Sequence, residues 1–167
     1  MTFSDPTTRE ELLIQVDRGW VDLERRVRRL PIDAYERPTA TGWSLKAMLA
    51  HIAAWHDATT HRLYRFLATG REQPMVVEDD DAFNATVVEE TADRSAEQVR
   101  RSLYRSFERL REVLGEVPPD LDGSGWIAAV AAGNSYGHYP EHLPELDAAL
   151  EPSEASTADA PSPSGSA

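Results

Sequence analysis

The chain has 167 residues, a net charge of −12 and no cysteine. The length suits one domain with a real core, and the missing thiols exclude a disulfide framework, a protein thiolate nucleophile and thiolate ligands for zinc. The acidic balance argues against nucleic acid, whose phosphates want a basic face. No stretch reaches the ~20 apolar residues of a membrane span, and Met1–Asp5 lacks the basic and apolar regions of a signal peptide, so the expectation is a soluble cytoplasmic protein with no membrane partner.

Strand signals are scarce, and helical periodicity dominates. The first helix starts near Thr7 or Thr8. Glu10 or Glu11 follows three residues on, as in a capping box. Leu13, Val16, Trp20, Leu23, Val27 and Leu30 then recur at steps of three and four until Pro31 stops the helix. Ser44 caps a second helix that carries Leu45, Met48, Leu49, Ile52, Trp55, Leu63, Phe66 and Leu67 and ends at Gly70. Residues 71–94 form a long connection with Pro74 and the run Asp79-Asp80-Asp81, with room for a short helix over roughly Ala82 to Glu90.

Ser95 and Gln98 open a third long helix with Val99, Leu103, Phe107, Leu110 and Leu114 on one face. After the loop of Pro118, Pro119, Gly123 and Gly125, a last helix is read continuously from about Trp126 to Leu150, with Pro140 and Pro144 inside it. Residues 151–167 are rich in Ser, Ala and Pro and are expected to be a disordered tail behind a domain of residues 1–150. The fold class that follows is all-α, a four-helix bundle with a long crossover between helices two and three.

One constellation carries chemistry. His138 and His142 lie four apart, so on a helix they share a face and can grip one metal ion. A third ligand must come from elsewhere, and His51, His56 and His61 all lie on the second helix. At ~100° per residue His56 falls near the centre of the apolar stripe and His51 at its edge, so periodicity leaves the choice open.

Trp43-Ser44-Leu45-Lys46, followed by Leu49-Ala50-His51-Ile52-Ala53-Ala54-Trp55, resembles the second helix of the DinB-like (YfiT-like) metalloenzyme superfamily. Asn134-Ser135-Tyr136-Gly137-His138-Tyr139-Pro140-Glu141-His142-Leu143 resembles that superfamily's last helix, and Phe83-Asn84 the segment before its third. The resemblance spans most of residues 8–150. It implies a four-helix bundle holding nickel or zinc on His51, His138 and His142.

Three neutral imidazoles leave a metal one open position. Glu141 is the nearest carboxylate in sequence, Trp55 is a candidate pocket wall, and Asn134 a candidate for orienting a ligand. Relatives in this group use mycothiol or bacillithiol. The resemblance therefore implies a metal-dependent thiol S-transferase, isomerase or hydrolase that takes a low-molecular-weight thiol as cosubstrate and a small-molecule substrate. The ClbS/DfsB branch, also similar, implies instead a protein that binds or detoxifies a small molecule without metal catalysis. A plain structural bundle, dimeric through an apolar strip on the first helix, is the third reading.

Overall fold

The computed structural model describes residues 5–75 and 79–151. Its helices are α1 (Arg9–Val27), α2 (Leu45–Thr69), α3 (Asp80–Thr91), α4 (Ala96–Glu116), α5 (Trp126–Gly133) and α6 (Tyr139–Leu150), with short 3-10 helices at Ile32–Glu36 and Leu121–Gly123. The described residues contain no β-strand, only an isolated bridge between Pro38 and Ser44. The all-α bundle is as expected. The tail reading covers residues 151–167, of which 152–167 lie outside the described residues. No helix among those described is long and apolar enough to cross a membrane.

Local chemistry sets the helix ends. Thr8 accepts from the backbone N–H of Glu11, Ser44 from that of Ala47, and Ser95 and Gln98 close a full capping box. Asp79 caps α3, accepting from Asp81 and Ala82. Gly70 ends α2 in the left-handed region, φ 65°, where a side chain would be strained.

The core is the sum of the apolar stripes. Leu12, Val16, Trp20, Leu23 and Val27 of α1 are all buried, so the stripe starts at Leu12 and not at Leu13, which is only partly buried, and from Val16 on it is spent inside this chain. α1 lies against α4 and α6, and α2 packs most extensively on α4 and then on α3. Trp20 stacks on Phe107 with centroids 4.0 Å apart and meets Tyr104 edge-on, a geometry that adds to simple burial.

The crossover is tied to α2 at both ends. The buried Arg62 guanidinium donates to the Gln73 carbonyl at 2.8 and 3.2 Å. The buried Lys46 ammonium bonds Glu36 at 2.8 Å and reaches the Ala92 carbonyl, just past α3, at 3.4 Å. Lys46 thus joins the 3-10 turn, α2 and α3.

The last helix is a correction. It is not continuous from Trp126 to Leu150: α5 ends at Gly133, Asn134 leaves helical geometry at φ −126°, and a turn over 134–138 precedes α6. Two glycines shape that turn. A Cβ on Gly137 would sit 2.8 Å from the Ala132 carbonyl oxygen, and one on Gly19 of α1 would sit 2.7 Å from Tyr136 Cβ. The break also disposes of the first proline. Pro140 stands in the first turn of α6, where a missing N–H leaves no bond unmade.

Candidate metal centre

His138 is the N-cap of α6, already at α-helical dihedrals (φ −89°, ψ −39°), so His142 still falls one turn beyond it on the same face. Across the bundle, α2 presents His51 to both. His51 Nε2 lies 3.2 Å from His138 Nε2, and His142 Nε2 lies 2.9 Å from it. One nitrogen from each of the three lies within 4.8 Å of the other two.

A second layer aims His51. Trp55 Nε1–H can only donate, and it bonds Asn84 Oδ1 at 3.1 Å. The same oxygen lies 2.9 Å from His51 Nδ1, so Nδ1 carries the proton and the Nε2 lone pair faces the site. Asn84 stands on α3, which is how the crossover takes part.

Burial keeps the cluster neutral. It pushes His51 down to about 4 and His138 to about 3, with the neighbouring imidazoles adding to the effect. His142 is lowered by burial too, against the pull of Glu141 and Glu145. His138 Nδ1 is buried without a hydrogen-bond partner. The donor set fits a cation. Three neutral nitrogens converge, and the spacings of 3.2 and 2.9 Å to His138 Nε2 are near the ~3.3 Å that tetrahedral zinc with bonds of about 2.0–2.1 Å requires.

The cluster forms the floor of a pocket of about 400 Å³. Trp43, Trp55 and Met75 line it, together with Thr41, Asp80, Asn84, Gly133, Asn134 and Glu141. The structure therefore brings all six expected residues, His51, His138, His142, Trp55, Asn134 and Glu141, to one pocket. Trp55 is buried, lines the pocket and is also a hydrogen-bond donor. Asn84 had no role assigned to it. Its signal in the sequence is only its place in the Phe83-Asn84 segment.

The other two histidines stand apart. His61 is exposed. His56 is fully buried in a separate network. Ser106 Oγ donates to the Leu103 carbonyl and accepts from His56 Nδ1 at 3.0 Å, which leaves His56 Nε2 to accept from the Tyr139 hydroxyl at 2.7 Å. Burial pushes His56 down to about 3.

Residues 15–143 match the family model of the DinB superfamily. The chain belongs to the DinB superfamily. No curated protein matches it. Among solved structures, this DinB-superfamily chain is similar to the colibactin self-resistance protein ClbS, solved in complex with a dsDNA, with a TM-score of 0.75 at 14% identity over 89% of this chain and 98% of that one. It is also similar to an uncharacterised protein from Escherichia coli UTI89, with a TM-score of 0.72 at 13% identity over 88% and 95%. At these identities the likeness shows the fold.

One expectation falls with that comparison. The acidic balance argues against a nucleic-acid partner, yet a protein of this fold has been solved with dsDNA. Net charge is a sum over the whole surface, whereas phosphates are met by local patches. In this chain Arg25, Arg28 and Arg29, with Val21 and Glu24, line a surface groove of about 330 Å³ near the end of α1, where Arg25 pairs with Asp22 and Arg28 with Glu24, each at 3.8 Å.

Proposed function

We propose that this DinB-superfamily protein binds one divalent ion, zinc or nickel, through His51, His138 and His142, and acts as a metal-dependent enzyme on a small molecule with a low-molecular-weight thiol as cosubstrate. The observation that carries this reading is the convergence of three neutral imidazole nitrogens on the floor of an open pocket. A metal bound there would lower the pKa of a coordinated water or thiol and polarise a carbonyl. The chain itself lacks cysteine, so any thiol nucleophile must come from outside.

The chain's own residues have separable roles in this scheme. Asn84 holds His51 in the tautomer that presents Nε2. Trp43 and Trp55 wall the pocket and shield the histidines from bulk water. Asn134 and Glu141 stand where an incoming group would pass, and Glu141 is the carboxylate placed to accept or return a proton. We assign the activity to the cytoplasm, where small thiols stay reduced.

The test starts with metal analysis of protein purified without a histidine tag, followed by zinc and nickel titration and by turnover of an electrophile with mycothiol or bacillithiol. Failure to bind either ion more tightly than ~10 μM would end the metal reading, because such a site is weaker than ~7 kcal/mol. Metal binding without thiol turnover would remove the transferase. Protection of cells from a toxic metabolite that survived loss of all three histidines would favour the ClbS-like detoxification reading.

The arginine groove supports a second reading, contact with duplex DNA. Its test is the anisotropy of a labelled duplex at low and high salt, with Arg25, Arg28 and Arg29 changed to Ala. Binding that neither salt nor these changes weaken would sink it.

A further inference from the structure

The charge pattern of the pocket above the histidines narrows what can enter. Its charged lining residues are Asp80 and Glu141, with no Lys or Arg among the described ones. Asp80 stands in the first turn of α3 and Glu141 in the first turn of α6. Both are exposed, and neither forms a salt bridge among the described residues. Trp43, Trp55 and Met75 line the same pocket as the histidines.

Indole faces attract ammonium and guanidinium groups, and unpaired carboxylates do so more strongly. The same carboxylates repel an anionic substituent at the mouth. We propose that the pocket selects an amphipathic organic cation. Its ammonium group sits with Asp80 and Glu141, its apolar body lies between Trp43 and Trp55, and its electron-donating end, a thiol, hydroxyl or carbonyl, faces the histidines. Only the direction of that last end rests on the metal-centre reading. The charge selection stands on the rim and walls alone. Thiols that carry carboxylates are the disfavoured cosubstrates, and neutral or basic ones the favoured.

Two thiols of one shape and opposite charge test this: para-mercaptobenzylamine and para-mercaptobenzoate. Each is titrated into metal-free protein by tryptophan fluorescence, and into Co²⁺-loaded protein by the thiolate-to-cobalt absorption band. The metal-free titration should favour the amine by at least about tenfold, and the Asp80→Asn, Glu141→Gln double variant should bring the ratio close to one. In the loaded protein the amine should develop the cobalt band. Both substitutions are at exposed positions, and circular dichroism checks that the variant folds. Equal affinities, a ratio unmoved by the double variant, or no binding of either thiol overturns the proposal. Failure to take up Co²⁺ sinks the metal centre instead, while the metal-free titration still decides the charge preference.

Discussion

At the scale of single residues, the candidate centre separates histidines that look alike in the sequence. His51→Ala, His138→Ala and His142→Ala each remove one converging nitrogen and should abolish or severely weaken zinc and nickel binding. His61→Ala, at an exposed position, should leave the affinity unchanged. His56→Ala should leave binding at one ion per chain while costing about 2–4 kcal/mol of stability, because it opens a cavity and strands the Tyr139 hydroxyl. Isothermal titration of the five variants with parallel thermal melts checks the set. A His56→Ala protein that keeps its stability and loses its metal would show that the third ligand has been misassigned. Asn84→Ala frees the His51 ring and should weaken binding by about 10–100-fold without removing a ligand.

Elements matter next. The turn of residues 134–138 depends on Gly137, whose missing Cβ leaves room for the Ala132 carbonyl. The crowding atom is backbone and cannot swing away. Gly137→Ala should therefore lower the melting temperature and weaken metal binding together, since His138 follows directly. Gly115→Ala is the control. Gly115 lies inside α4 with nothing within 4 Å of the added Cβ, so the change should be neutral or stabilise by up to ~1 kcal/mol. At the centre of the bundle, Trp20→Ala removes the ring stacked on Phe107 and should cost ~3–5 kcal/mol. Denaturant unfolding measures all three, and a Trp20→Ala cost below about 1 kcal/mol would contradict the burial of α1.

For the whole molecule, stability and metal loading are separable. Buried apolar stripes build the core, so metal-free protein should keep its helical circular dichroism, and added ion should raise the melting temperature by linkage. Acid should act differently. His51, His56, His138 and His142 are all held below the ordinary histidine value by burial, while an unfolded imidazole titrates near ~6.5. Below that pH the unfolded chain takes up protons that the native sites refuse, so native stability falls as pH drops from ~6.5 towards about 4. Above ~6.5 these groups contribute no slope. Melting curves of metal-free protein between pH 8 and about pH 4 show the outcome, and a flat profile down to about 5 would mean that the cluster is not buried and neutral.

The sequence by itself determined the helices and most of their ends. Thr8, Ser44, Ser95 and Gly70 act through hydrogen bonds or dihedrals spanning at most four residues, which is why they could be read locally. The stripe from Val16 to Leu30 was legible for the same reason, since helical periodicity is local. The pair His138 and His142 was also a local signal. That His51 rather than His56 completes the cluster came from family resemblance, because periodicity put His56 nearer the core. Tertiary packing shows why both readings hold: His56 is indeed in the core, hydrogen-bonded by Ser106 and Tyr139 from two other helices. Only the tertiary structure decided the break at Asn134, the place of Asn84 and the charge of the pocket mouth. Each depends on residues far apart in the chain. Gly19 makes room for Tyr136, α3 carries Asn84 across to His51, and Asp80 and Glu141 meet one cavity from different helices. No window of sequence spans those contacts, and a net charge of −12 could not say where its charges lie.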